Sequence, residues 1–238
     1  MVQRLNDIDI LGFDTETTGV SPHHSRLVTA AIVESGPEEV SATWLANPGV
    51  DIPSAAREVH GISTEHAREH GRPADEVLLE VRDYLLRGLR EGKAILAFNA
   101  SFDLTLLESE LTRHGLATMT ELLGTEPAPI IDPLVLDRML APRRRGPRRL
   151  ENLCQVYGVT ASGFHDARAD VVASLRLFEA MKTQHAILAP LTVDKAHELQ
   201  RASHRDWARS FNRWLASKGR TPDVAEAWPL LPPRGEGA

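Results

Sequence analysis

Apolar positions in the first fifty residues fall in short runs rich in β-branched side chains. Ile8–Thr15 (IDILGFDT) predicts a strand that ends in polar residues, and Arg26–Glu34 and Val40–Ala46 predict two more. Ser35-Gly36-Pro37 supplies a turn between the second and third. Three consecutive strands predict an antiparallel meander. The period then changes. Val77, Leu78, Val81, Leu85 and Leu89 recur at helical spacing within Ala74–Arg90. Ala94–Phe98 (AILAF) is wholly apolar, as a central buried strand requires. Ser101–His114 reads as a helix with Leu104, Leu107 and Leu111 on one face, Ser101 as N-cap and Gly115 as its stop. Ile130 and Ile131 close another short strand, Pro133 suits a first helical turn, and Leu150–Tyr157 and Ala167–Met181 follow as helices. The sum is a mixed α/β layout.

Two stretches stand apart from this alternation. Pro142–Arg149 (PRRRGPRR) reads as a solvated loop that no core would accept. Beyond residue 185 comes a polar helix, Asp194–Lys218, with Trp207 and Trp214 seven apart on one face and suited to anchoring it, followed by a tail carrying Pro222, Pro229, Pro232 and Pro233 that is expected to be loosely held. Residues 1–185 are therefore expected to form the main domain, and 186–238 a C-terminal helical extension with a Pro-rich tail.

Composition narrows the partners. The chain has 238 residues, 42% hydrophobic and 25% charged, which is ordinary for a globular protein and excludes wholesale disorder. Lys and Arg total 27 against 33 Asp and Glu, a net charge of −6 that excludes a generally basic nucleic-acid coat but not a local basic patch. The single Cys154 argues against a thiolate zinc site and fits a reducing compartment. No apolar run is long enough to span a bilayer and Met1–Asp9 lacks a secretion signal, so a cytoplasmic protein with no membrane partner is expected.

Candidate chemistry lies at the ends of these elements. Asp14 and Glu16 are two apart at the end of the first strand, so both carboxylates face one side. Paired hard oxygen donors suit Mg²⁺ or Mn²⁺; an isolated pair is more often a solvated strand end. Asp103 follows the buried strand Ala94–Phe98, where α/β sites gather, although an acid there also complements a helix N-terminus. His165 and Asp170 flank the start of a third element, with Asp166 as a candidate N-cap.

Taken together, Phe13-Asp14-Thr15-Glu16-Thr17-Thr18-Gly19, Asn99-Ala100-Ser101-Phe102-Asp103 and His165-Asp166-Ala167-Arg168-Ala169-Asp170 resemble, in this order, the three motifs of the DEDDh (DnaQ-like) 3′–5′ exonucleases, the family of the proofreading ε subunit of bacterial DNA polymerase III. His60-Gly61-Ile62-Ser63 and Leu150-Glu151-Asn152-Leu153 are further landmarks, and Phe98 stands where members often carry His. The resemblance covers roughly Ile8–Lys182. It implies a ribonuclease H-like fold with a central mixed five-stranded sheet flanked by helices.

It also implies a mechanism. Asp14, Glu16 and Asp170 would hold divalent metal, Mg²⁺ or Mn²⁺, two ions per site, with Asp103 acting mostly through water and His165 as general base. Two such ions activate the attacking water and stabilise the departing 3′ oxygen, and an imidazole titrates in the range that a general base needs. The substrate would be single-stranded or frayed DNA shortened from its 3′ end to nucleoside 5′-monophosphates, with a DNA polymerase as a possible partner. Thr15, Ile62, Asn99 and Phe102 would touch the terminal nucleotide. Arg148 and Arg149, in a segment where six of the twelve residues from Arg138 to Arg149 are Arg, would hold phosphates. An RNA trimmer of the oligoribonuclease or ribonuclease T kind, and a catalytically silent adaptor for nucleic acid or polymerase, are the alternatives; the complete set of acids speaks against the second.

Overall fold

The computed structural model describes residues 3–36 and 40–233, so Pro37 of the expected turn lies outside the described residues. In chain order the elements are β1 (Ile10–Thr17), β2 (Leu27–Glu34), β3 (Val40–Asn47), α1 (Ser54–His60), α2 (Thr64–His70), β4 (Arg72–Pro73), α3 (Ala74–Arg90), β5 (Ala94–Leu96), α4 (Ala100–Arg113), α5 (Met119–Leu123), β6 (Ile130–Ile131), α6 (Pro133–Leu140), α7 (Leu150–Tyr157), α8 (Ala167–Gln184) and α9 (Val193–Ser217). They build one six-stranded sheet in the order β4-β3-β2-β1-β5-β6. The meander β1–β2–β3 is antiparallel, and β5 and β6 run parallel to β1. The sheet thus exceeds the expected five strands by one. The addition, β4, pairs parallel with Ala46 and Asn47 of β3, and two residues carry no readable period. The short helices α1 and α2 were not legible either: α1 buries no residue, so it has no apolar stripe.

Alternation along the central strands sorts the core into two layers. Leu11, Phe13 and Ile95 face α3 and α4, where Leu78, Val81 and Leu107 meet them. Ile10, Leu96 and Ile131 face the opposite way, onto Leu153 of α7 and Leu177 and Phe178 of α8. Gly12, on the second face, is what lets α8 lie close. A β-carbon there would sit 2.4 Å from Val171 Cγ1, so the strand can carry no side chain at that point.

The C-terminal segments pack into the same body. Helix α9 covers the open edge of β6: His197 Nδ1 accepts the Ile130 N–H (3.1 Å), Gln200 Oε1 accepts the Asp132 N–H (2.7 Å), and Gln200 Nε2 donates to the Ile130 carbonyl (3.1 Å). These bonds satisfy backbone groups that an edge strand leaves unpaired. Trp207, Phe211 and Trp214 form a stacked column on α9, with the Arg138 guanidinium 3.5 Å from the Trp207 ring centre. The tail corrects the expectation of a loose end. Trp228 is 2% exposed within the first core layer, the Leu231 N–H donates to Thr105 Oγ1, and Asn212 bonds twice to the Val224 backbone. Proline content signalled an absence of helix, but Trp228 and Leu230 supplied apolar surface to bury.

The arginine-rich segment is a second correction. Asp137 of α6 is fully buried, and Arg144, Arg148 and the Tyr157 hydroxyl converge on its carboxylate. A buried carboxylate needs such partners, so part of this segment is drawn inward.

Candidate active site

Strand β1 delivers two acids because its register alternates. Leu11, Phe13 and Thr15 turn to one face, while Gly12, Asp14 and Glu16 turn to the face on which α8 packs. The β1–β2 register shifts between Glu16 and Thr17, an irregularity of the kind that re-aims side chains at sheet ends. Leu27 N–H is picked up by the buried Glu110 carboxylate of α4 (2.9 Å) beside this irregularity.

Helix α8 brings the third acid. Asp166 caps it by accepting the Ala169 N–H (2.9 Å), as expected. Asp170 lies in its first turn, next to the Val171 that packs on Gly12. One carboxylate oxygen from each of Asp14, Glu16 and Asp170 lies within 4.8 Å of the others. Asp170 Oδ2 accepts the His165 N–H (3.2 Å), while its Oδ1 is buried with no hydrogen-bond partner among the described residues.

Asp103 stands beside this cage rather than in it. Its Oδ1 accepts both the Thr15 N–H (3.1 Å) and the Thr15 hydroxyl (2.6 Å). Helix α4 carries it, and the helix start differs from expectation. Asn99, not Ser101, is the N-cap, in the left-handed region at φ 62° and without a side-chain cap. The N–H groups of Asn99 and Ala100 instead donate to the carboxylate of Asp132, which begins α6 (3.0 Å each). A cap from a distant part of the chain leaves no local sequence signal.

The electrostatics follow from crowding. Burial first, then the charges of Asp103, Asp170 and Glu16, hold Asp14 well above the usual carboxylate range. Burial and the Asp170 and Asp103 charges push Glu16 up to about 8. Burial raises Asp103 to about 7, against the Thr15 hydrogen bond that lowers it, and burial also raises Asp170. Three mutually repelling carboxylates with an orphaned buried oxygen make a donor set that fits a hard divalent cation.

His165 occupies the loop before α8 at φ 72°, a strained value for a residue other than glycine. It is exposed, and it lines a cleft of about 510 Å³ together with Glu16, His60, Ile62, Trp44, His66 and Arg168. Ile62 thus shares a cleft with Glu16 and His165. Thr15 is buried with its hydroxyl on Asp103, so it orients that acid instead of reaching into the cleft. Asn99 is exposed at the head of α4, and Phe102 is partly buried in its first turn; neither lines this cleft. Arg149 is exposed and stands 4.0 Å from Glu151, whereas Arg148 turns inward to Asp137, away from the phosphate role expected of it. Trp44 and His66, which also line the cleft, leave no sequence signal because a strand Trp and a short-helix His carry no motif of their own.

The six-stranded mixed sheet with an acidic cage at the end of its central strand β1 matches the ribonuclease H-like exonuclease fold. The chain belongs to the exonuclease family: the family model (RNase T type, exonuclease) matches residues 11–178. It is 30% identical over 177 residues to the PolC-type DNA polymerase III of Streptococcus thermophilus, covering 73% of this chain and 11% of that protein. It is 27% identical over 182 residues to the PolC-type DNA polymerase III of Lacticaseibacillus paracasei, covering 76% of this chain and 12% of that one. The chain therefore spans about a tenth of these relatives' length. Among solved structures it resembles Escherichia coli exonuclease I in complex with a dT13 oligonucleotide (TM-score 0.64, 22% identity, 76% of this chain and 42% of that one). It also resembles exonuclease I from Methylocaldum szegediense (TM-score 0.62, 19% identity, 87% and 46%). These likenesses establish the ribonuclease H-like exonuclease fold.

Proposed function

We propose that this chain is a metal-dependent 3′–5′ exonuclease that removes nucleoside 5′-monophosphates from the 3′ end of single-stranded or frayed DNA. The observation that carries this reading is the cage of Asp14, Glu16 and Asp170, with oxygens within 4.8 Å of one another, whose Glu16 lines one cleft with His165. Asp14, Glu16 and Asp170 would hold the cations, two Mg²⁺ or Mn²⁺ ions, with Asp103 supporting them through water. When bound, such ions supply Lewis-acid activation of water and neutralisation of phosphate charge. The chain's own residues do the rest. His165 accepts the proton of the attacking water, and its backbone N–H, donating to Asp170, ties the loop that carries it to the cage. Ile62 and the His60 segment form the wall against which the terminal nucleotide lies; His60 Nδ1 accepts the Ile62 N–H (3.2 Å) and fixes that turn.

Relatives named as DNA polymerases support DNA over RNA as substrate, and a polymerase as partner. No helix among the described residues is long and apolar enough to cross a membrane, and the buried Cys154 fits a cytoplasmic setting. A time course with 3′- and 5′-labelled DNA and RNA of matched sequence, with and without Mg²⁺ or Mn²⁺, tests the reading. Release of mononucleotides from the 3′ end of DNA, only with metal, is the expected result. Cleavage from the 5′ end, or of RNA alone, would overturn it.

A further inference from the structure

Helix α9 changes character along its length. Its first half buries Val193, Ala196, His197 and Gln200. Its second half carries Trp207, Phe211 and Trp214 at i, i+4 and i+7, one face of a helix, and the C-cap residue Lys218 continues that stripe. The rings stack on one another: Trp207 on Phe211 at 5.4 Å and 11°, Phe211 on Trp214 at 5.3 Å and 18°. Arg138 closes the inner end by lying over Trp207. The outer end is open, with Trp214 46% exposed. Trp207 therefore anchors the helix, and Trp214 does not. Charge follows the same division. Residues 201–220 hold Arg201, Arg205, Arg209, Arg213, Lys218 and Arg220 against the single acid Asp206, in a chain of net charge −6. Arg201 pairs with Glu126 and Arg209 with Glu226, whereas Arg205, Arg213 and Lys218 are exposed and form no ion pair among the described residues.

The helix carries this column to the same end of the sheet as the acids. It starts beside residues 3–5, upstream of β1: Arg4 bridges to Thr192, and the Val193 N–H donates to the Gln3 carbonyl. His197 and Gln200 then bond to Ile130 and Asp132, at the C-terminal end of β6. So α9 runs in the direction of β6, which is parallel to β5 and β1, and its second half projects past the strand ends where Asp14 and Glu16 lie. Asp132 joins the two regions. Its N–H is held by Gln200, and its carboxylate accepts the Asn99 and Ala100 N–H groups at the head of α4, the helix that carries Asp103. Trp207 and Trp214 lie seven and fourteen residues beyond Gln200, about 10 and 20 Å along the axis. Sideways, β6 is two strands from β1, about 10 Å, and a packed helix adds about 10 Å more.

We propose that the column is a stacking platform for single-stranded nucleic acid: bases upstream of the 3′ end that lies in the cage pile on Trp214, and Arg213 and Lys218 contact the phosphates beside them. The proposal rests on the nuclease reading above and adds where the rest of the strand is held. Rings that enter a partner protein's groove stand apart as separate anchors. These are stacked face to face, which leaves the open Trp214 face as the place where a further flat ring can pile. No exposed aliphatic side chain larger than alanine lies within residues 201–220. Rings among unpaired cations match the bases and phosphates of a single strand, and stacking of this kind tolerates any base. A chain of net charge −6 repels a polyanion, and this cationic stretch offsets that repulsion at the end of the sheet where the strand must arrive.

The test uses the full chain. Fluorescence anisotropy of a labelled long oligothymidylate, in Ca²⁺ to hold cleavage off, gives affinity across a salt series. Trp214→Ala is expected to weaken binding about tenfold with the salt dependence kept, and Trp214→Phe to restore most of the loss. Arg213→Ala/Lys218→Ala is expected instead to flatten the log–log salt dependence by about 1.4, since each lost single-strand phosphate contact removes about 0.7. A second strand keeps its bases only at the last few nucleotides of the 3′ end and is abasic upstream; wild type and Trp214→Ala are expected to bind it alike. Wild-type affinity of Trp214→Ala for the full oligothymidylate would overturn the platform and point to a protein partner for this helix face. An equal fall on the abasic strand would overturn it too, because no upstream base is there to stack. Absence of hydrolysis in the wild-type chain with Mn²⁺, with the anisotropy results as expected, would instead sink the nuclease reading alone.

Discussion

Thr15 and Asp103 are joined twice: the backbone N–H and the hydroxyl of Thr15 both donate to Asp103 Oδ1, at 3.1 and 2.6 Å. The contact ties β1, which carries Asp14 and Glu16, to α4. It is buried, and the hydroxyl bond lowers a carboxylate that burial raises. Thr15→Val keeps the shape and removes the hydroxyl donor. Leaving a buried acceptor short of a partner costs about 1–3 kcal/mol. Urea denaturation is expected to show that loss, with a fall in turnover, while Thr15→Ser retains most of both. A Val variant as stable and as fast as wild type would show that the bond neither supports the fold nor places the acid.

Gly12 makes the cage possible by omission. A β-carbon at this position would lie 2.4 Å from Val171 Cγ1, one residue from Asp170. Gly12→Ala therefore pushes α8 off the sheet, at a cost of about 1–3 kcal/mol, and should weaken Mn²⁺ binding with it. Adding Val171→Ala makes room for the new methyl group. Recovery of metal affinity in the double variant is the expected outcome in calorimetric titrations. No recovery would place the defect elsewhere in β1.

Stability should depend on pH with a definite sign when metal is removed. Glu16 is pushed up from an ordinary 4.5 to about 8, and Asp103 from 3.8 to about 7. Between those values the folded chain binds more protons than the unfolded one, so stability is full below the ordinary values and falls as pH rises through the raised ones. In EDTA, the melting temperature contributed by these groups should drop from near pH 5 to near pH 8, and Mn²⁺ should raise it most at the alkaline end. Glu16→Gln should flatten the slope. A metal-free slope of the opposite sign that the variant leaves unchanged would contradict the crowding described above.

The extent to which the chain announced this arrangement varies with how local the cause is. The meander, α3, α7 and α8 were legible because each buries one face and so carries a period, and the three acidic motifs were legible because their chemistry is compressed into short runs. The cap of α4 was not. Asp132 supplies it from thirty-odd residues away, and Ser101 looked the better cap only because caps are usually local. PRRRGPRR looked like plain solvated loop because its counter-charge, Asp137, is buried on another element. The tail was misread for a related reason: its partners Thr105, Asn212 and Asp132 become neighbours only after the sheet has formed.

His165→Ala should lose about 10²–10⁴ in rate, the usual worth of a general base, with metal affinity little changed because the bond from residue 165 to Asp170 is made by the backbone. A variant with wild-type rate would remove His165 from the chemistry and leave it as a loop residue at positive φ.

The central claim is that Asp14, Glu16 and Asp170 together hold the divalent cations on which cleavage depends. Titration of the purified chain with Mn²⁺, followed by electron paramagnetic resonance, tests it without relying on any substrate. The account predicts bound Mn²⁺ in the wild-type chain and its loss in both Asp14→Ala and Asp170→Ala, each still folded by circular dichroism. Mn²⁺ binding of wild-type strength in either variant would contradict it.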